Sequence, residues 1–210
     1  GAVDEVAWGR WYRRAIGHSA KQLHRAVNWI RNHPDRIFMD ASCQERFPIE
    51  VPVGDQLKIH GVIVARGASQ ACRSYFGSES GSLALAPLDC STSNPTEVPE
   101  IPFFVGNPSP SPNDVYTILD DVTLPIVLLE LDTVTDLVRY LDRRTSLLLG
   151  EHLLTAEGEE DLLALYLKDI GPDGDHDFVA KSGVALGPHQ KIVIETGTYD
   201  HLRRRGGELH

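Results

Sequence analysis

Four cations and one amide make the clearest chemical pattern in this chain. Arg10, Arg14, Lys21 and Arg25 recur at steps of four, seven and four residues, so a helix across them carries all four on its outer side. Gln22 lies at the border between that side and the apolar one. Guanidinium and ammonium groups in such a row suit phosphate oxygens. The plain alternative is a solvated face on a helix packed against a core, and periodicity does not separate the two.

Carboxylates and histidines offer further sets. Asp173, Asp175 and Asp177 with His176 suggest a cation loop, but a calcium loop needs Gly at its sixth place and Glu at its twelfth, where Phe178 and Val184 stand. An acidic turn is the better reading. Gly77 to Gly81 (GSESG) has the glycine frame of a nucleophile elbow around Glu79 instead of Ser. His18 and His24 lie about 120° from sharing a helix face and make a poor ligand pair. Glu159, Glu160 and Asp161 head a helix and Asp120–Asp121 precede one, where capping accounts for them. The chain carries no dinucleotide fingerprint, phosphate loop or H-E-x-x-H motif. Lys58, two residues after Gln56 and three after Asp55, does not complete an E-x-K or D-x-K strand. No metal ligands are assigned.

The elements that must position these groups begin with a helix over Trp8 to Asn32. Its apolar residues are Trp8, Tyr12, Ala15, Ile16, Leu23, Val27 and Ile30, and Pro34 ends it. Gly17 in its middle costs about 1 kcal/mol relative to Ala, which suggests a bend or a close neighbour there. Strands are expected at 36–40, 56–65, 82–86, 115–119 and 191–195, the second of them covered on both faces because it ends as a continuous apolar run. Phe47 to Gly54, with Pro48, Pro52 and Gly54, reads as irregular. Helices are expected over 68–76, packed through Ala71, Cys72 and Tyr75, and over 124–131, 133–149 and 159–170. Thr133 and Asp136 cap the third of these, whose buried stripe is read as Val134, Leu137, Val138, Leu141 and Leu148. Seven of the thirteen prolines fall between Pro87 and Pro112, the mark of an extended connector anchored at Ile101 to Val105.

These elements give an α/β fold: a mixed sheet flanked by helices, with an α-helical C-terminal portion. Residues 1–86 form the α/β core, 87–113 the connector, 114–200 an α+β portion and 201–210 a flexible tail. Hydrophobic content of 41% and charge of 24% are ordinary for a globular chain. No apolar run could span a bilayer, and the first residues lack the pattern of a signal peptide. Cys43, Cys72 and Cys90 are odd in number and far apart, which fits unpaired thiols and a cytoplasmic protein. Residues 1–36 hold seven Lys or Arg against Asp4, Glu5 and Asp35, a balance of +4 in a chain of −10, so the remainder carries −14. A basic helix on an acidic body points to a local phosphate contact, not to a nucleic-acid-binding surface all round.

The run WGRWYRRAIGHSAKQLHRAVNWIRNHPDRIFMD, together with VTLPIVLLELDTVTDLVRYL and GEEDLLALYL, resembles bacterial nuclease-related proteins of the PD-(D/E)XK, restriction-endonuclease-like class. The resemblance covers about half of the chain and speaks to fold before activity. It implies a partial restriction-endonuclease-like core, the metal-binding Asp and the S/E-x-K strand of that class lying upstream of this helix. Gly1 is not Met, and the expectation is a chain that begins inside a longer product. The helix of such proteins brings a Gln towards the site; here that residue is Gln22, in a supporting catalytic role, with Ser19 one turn before it. The implied partners are the upstream strands of the parent chain and DNA, held through Arg10, Arg14, Lys21 and Arg25. The implied chemistry is Mg²⁺-dependent DNA phosphodiester hydrolysis by the parent, with no cofactor in this chain and no activity of this chain alone. An exposed apolar patch is expected where the missing strands would pack. The alternative function is a non-catalytic accessory domain that binds protein or nucleic acid on the same scaffold.

Overall fold

The structure is a computed structural model that describes residues 5–77, 79–86, 94–149, 153–171, 174–178, 191–194 and 197–204. The amphipathic N-terminal stretch becomes one continuous helical rod in three parts: α1 (Glu5–Tyr12), a π-turn (Arg13–Gly17) and α2 (His18–Asn32). Trp8, Tyr12, Ile16, Ala20 and Val27 are its buried row. Steps of four residues drift around an ordinary α-helix. The wider i→i+5 turn takes more residues per turn and holds Tyr12, Ile16 and Ala20 in line. Gly17 sits at the end of that turn, where an added Cβ would lie 2.8 Å from the Pro95 carbonyl oxygen and 3.0 Å from Thr96 Cγ2. The glycine admits the connector against the rod.

Two sheets stand where the sequence suggests one. β1 (Gly61–Ala65) pairs in parallel with β4 (Tyr116–Asp120), Gly61 opposite Tyr116 and Ala65 opposite Asp120. The other sheet has the order β3-β2-β5-β6, built from β2 (Ala84–Leu85), β3 (Phe104–Val105), β5 (Leu153–Ala156) and β6 (Lys191–Ile194); only the β2–β5 pair is antiparallel. Helices α3 (Ser69–Phe76), α4 (Thr123–Glu130), α5 (Val134–Leu149), α6 (Glu159–Lys168) and α7 (Thr198–Arg204) complete the α/β architecture of mixed sheet and flanking helices. The rod lies on β1, where a Cβ at Gly61 would meet Leu23 Cδ2 at 2.9 Å and the Tyr116 ring. A bidentate pair from Arg31 to Asp114, at 3.0 and 2.6 Å, fastens the end of α2 ahead of β4 and holds the Asp114 carboxyl below its usual range.

Several local expectations change. Residues 36–40 give a short 3₁₀ turn at Pro34–Arg36 and a lone bridge between Phe38 and Arg46 in place of a strand. The expected 56–65 strand is β1 alone, and it is covered on one face: Val62 and Val64 are 37% and 45% exposed. In α3 only Cys72 is buried, while Ala71 and Tyr75 face outwards. In α5 the expected stripe holds at Leu141 and Leu148, with Leu137 half-buried against the core, and fails at the two valines. Val134 and Val138 are exposed, and Tyr140, Leu141, Arg144, Leu147 and Leu148 are buried. Thr133 does cap α5, accepting from the Asp136 N–H at 3.1 Å. Residues 201–204 of the expected tail belong to α7; Cys90, Asp173 and residues 205–210 lie outside the described residues.

Candidate nucleic-acid interface

From Val6 to Pro34 the sequence contains no carboxylate, so beyond Glu5 at its first residue every charge on the exposed side of the rod is positive. Arg10, Arg14, Lys21 and Arg25 are all exposed, as are His18 and Gln22 between them. From residue 10 to residue 25 the rod extends about 22 Å at 1.5 Å per residue. No carboxylate among the described residues reaches Arg10, Arg14, Lys21 or Arg25 in an ion pair; among those residues the rod's only paired cation is Arg31. Unpaired cations on a rigid helix keep their full positive field and need no partner exchange to accept a phosphate. Ser19, one turn before Gln22, turns back to its own helix and donates to the Ala15 carbonyl at 2.9 Å. It is therefore not poised beside Gln22.

Trp29 is the group sequence reasoning passed over. It stands one turn beyond Arg25, is 42% exposed, and touches the His33 ring with centroids 5.5 Å apart. The signal was present in the sequence: residues 21, 25 and 29 share a helical row, which takes Trp29 out of the apolar face.

The acids whose chemistry suits a metal are committed to the protein instead. Glu159 accepts from Arg144 Nε at 2.6 Å and Nη2 at 2.9 Å, and from the Tyr140 hydroxyl at 2.6 Å. Asp161 accepts from the Gly197 and Tyr199 N–H groups, and burial outweighs these bonds to raise its pKa. Asp120 caps α4 through the Val122 and Thr123 N–H groups and also takes the Leu83 N–H at 2.7 Å. Glu160 accepts from the hydroxyls of Ser80 and Ser82; burial pushes its carboxyl up to about 7, against the lowering effect of both serines. Capping thus explains only part of this set: Glu159, Glu160 and Asp161 are all buried and join α6 to three different neighbours.

A cleft of about 330 Å³ is lined by Lys58, Arg139, Asp142, Arg143, Asp175 and His176, among others. Its cations are matched by acids: Lys58 with Asp142 at 3.2 Å, Arg139 with Asp175 at 3.1 Å and Arg143 with Asp177 at 3.3 Å. Asp175 and Asp177 of the acidic turn are therefore ion-pair partners. Among the described residues no group of three or more His, Cys, Asp or Glu side chains is placed to hold a metal. Mg²⁺ demands near-octahedral oxygen ligation, usually one or two carboxylates completed by waters and substrate phosphate. Gln22, on a rod whose one carboxylate is Glu5 at its far end, with the buried acids committed elsewhere, does not fit such a site.

No protein-family model, curated protein or solved structure matches the chain. Among the described residues no helix is long and apolar enough to cross a membrane.

Proposed function

We propose that this chain is the nucleic-acid-holding portion of a nuclease-related protein of the PD-(D/E)XK class. In this reading Arg10, Arg14, Lys21 and Arg25 bind backbone phosphates, and Gln22 adds a hydrogen bond to a phosphate or to an ordered water. Mg²⁺-dependent hydrolysis of DNA belongs to the parent protein, and the 210-residue chain does not cleave DNA by itself. The observation that carries the reading is the row of exposed cations, unpaired among the described residues, on a stretch without acids. Backbone contacts of this kind supply most of the affinity of non-specific binding.

The test is binding of a labelled DNA duplex by fluorescence anisotropy at low salt. Changing Arg10, Arg14, Lys21 and Arg25 together to Ala should lower affinity by at least tenfold. Changing Lys58 and Arg139 of the cleft to Ala should leave it within about twofold, since those cations already have carboxylate partners. Equal losses in the two variants would refute the assignment. Magnesium-dependent nicking of supercoiled DNA by the purified chain, abolished by a chelator, would overturn the non-cleaving part.

A second reading, a protein-binding accessory domain, is favoured by the segment after the rod. Ile49 and Val53, 66% and 63% exposed, edge a hollow of about 300 Å³ that Ile37 and Phe47 also line. Exposed apolar residues around a hollow suit a protein partner better than a phosphate backbone.

A further inference from the structure

The rod has an aromatic end as well as a cationic length. Of the three tryptophans, two are accounted for by packing. Trp8 is buried, with its ring 5.3 Å from that of Trp11 and 4.9 Å from that of Phe103. Trp11 packs on the same core and donates Nε1–H to the Arg66 carbonyl at 2.9 Å. Trp29 has no such role. It lies outside the buried core and its partly buried rim, and its ring contact is His33 in the loop just past α2. An indole held on a rigid helix, 42% exposed and with no side-chain hydrogen bond among the described residues, has an aromatic face open to a purpose.

Its neighbours give it one. Lys21 and Arg25 precede it by two turns and one turn on the same row, both exposed and both unpaired among the described residues. Side chains one turn apart have Cβ atoms about 5–6 Å from each other. A phosphate on Arg25 would leave the adjoining base within reach of the indole. Asn28 Nδ2 pairs with His24 Nε2 at 2.9 Å, the remaining His24 Nδ1 is buried, and Arg31 pairs with Asp114, so none of the three competes for that phosphate. A cationic track that runs into an exposed aromatic ring is the recognition chemistry of single-stranded nucleic acid. Duplex bases are stacked on one another and cannot reach such a ring.

We propose that Trp29, with His33 beside it, is a stacking platform, and that the rod holds single-stranded nucleic acid in preference to duplex. Lys21 and Arg25 take the backbone and Trp29 takes a base. This rests on the phosphate-binding reading of the rod and names its ligand class.

The experiment uses the full chain and four labelled probes of about 15 nucleotides, the upper range for one stacking groove. The probes are oligo-dT, oligo-rU, an abasic strand with the same phosphates, and a duplex. Wild type should bind oligo-dT or oligo-rU at least tenfold tighter than the abasic strand and the duplex, and the tighter of the two tells DNA from RNA. Trp29→Ala should remove that preference, losing about tenfold on the base-carrying single strands and less than twofold on the abasic strand and duplex. Trp29→Phe, which keeps a ring, should retain most of it, and the quenching of indole emission seen when wild type binds should shrink in this variant. Because Trp29 is outside the core, circular dichroism should show all variants folded. If Trp29→Ala weakens every probe equally, or none, while Arg25→Ala still weakens all, stacking is refuted and the phosphate-binding rod stands. If wild type binds no probe, or Arg25→Ala changes nothing, the rod reading itself falls, and this proposal with it.

Discussion

At Glu160 a buried carboxyl meets two hydroxyls and, among the described residues, no cation, and this makes its charge expensive. Burial pushes its pKa from an ordinary 4.5 up to about 7. The folded state thus holds the proton more tightly than the unfolded chain. The stability this contributes is complete below about pH 4.5 and is lost as pH rises through about 7, on the order of 3 kcal/mol in full. Glu160→Gln keeps the shape and removes the ionisation. Urea unfolding should find the variant and wild type of similar stability at pH 5, with the variant the more stable by more than about 1 kcal/mol at pH 8. A difference that does not change with pH would contradict the account. Glu159 next to it has the opposite solution, an Arg144 guanidinium in bidentate contact. Adjacent acids of identical type are served by unlike partners. The sequence showed three acids at a helix start, for which the dipole is sufficient cause. The hint of burial lay further along the same helix, where Leu162, Leu163, Ala164, Leu165, Tyr166 and Leu167 are apolar all round, as in a helix enclosed by its neighbours.

Within elements, the π-turn shows a tertiary demand overriding helix propensity. Ala is about 1 kcal/mol better than Gly in a helix interior, so propensity alone predicts that Gly17→Ala stabilises. The close Pro95 carbonyl and Thr96 methyl reverse the sign. Chemical denaturation should show the variant less stable by about 1–3 kcal/mol, the usual cost of overpacking a filled site. A gain in stability would mean that the connector yields and the glycine is not needed. The same balance sets how much of the fold was legible. The rod, α5 and α6 have long periodic patterns, and their extents follow within a few residues. Strand β5 is only Leu153–Ala156, too short for alternation to show, and it was missed. The segment 36–40 has strand-like composition but no strand beside it apart from the Phe38–Arg46 bridge. For α5 the stripe was right at Leu137, Leu141 and Leu148 and wrong at Val134 and Val138: counting only aliphatic residues left out Tyr140 and Arg144, which form the centre of its buried face.

For the molecule as a whole, pairing of strands could not be read from local pattern. The split between β1–β4 and the four-stranded sheet depends on partners distant in the chain, and β4, buried at every position, reads like any short apolar run. Charge was easier to read, because a balance of +4 over residues 1–36 against −14 for the rest is a property of composition. What the structure adds is that four of these cations are exposed without acid partners among the described residues, while those of the cleft are matched. An acidic body behind a cationic rod should restrict nucleic acid to one face and make its hold sensitive to screening.

The most direct measurement is the affinity of the chain for oligo-dT and for a duplex as a function of salt. If Arg10, Arg14, Lys21 and Arg25 each neutralise one phosphate, log K should fall against log salt with a slope of about −3 on the single strand and about −3.6 on the duplex. With those four residues changed to Ala the slope should approach zero along with the binding. A slope that is the same in wild type and variant, or an affinity indifferent to salt, would contradict the claim that this face of the rod is where nucleic acid is held.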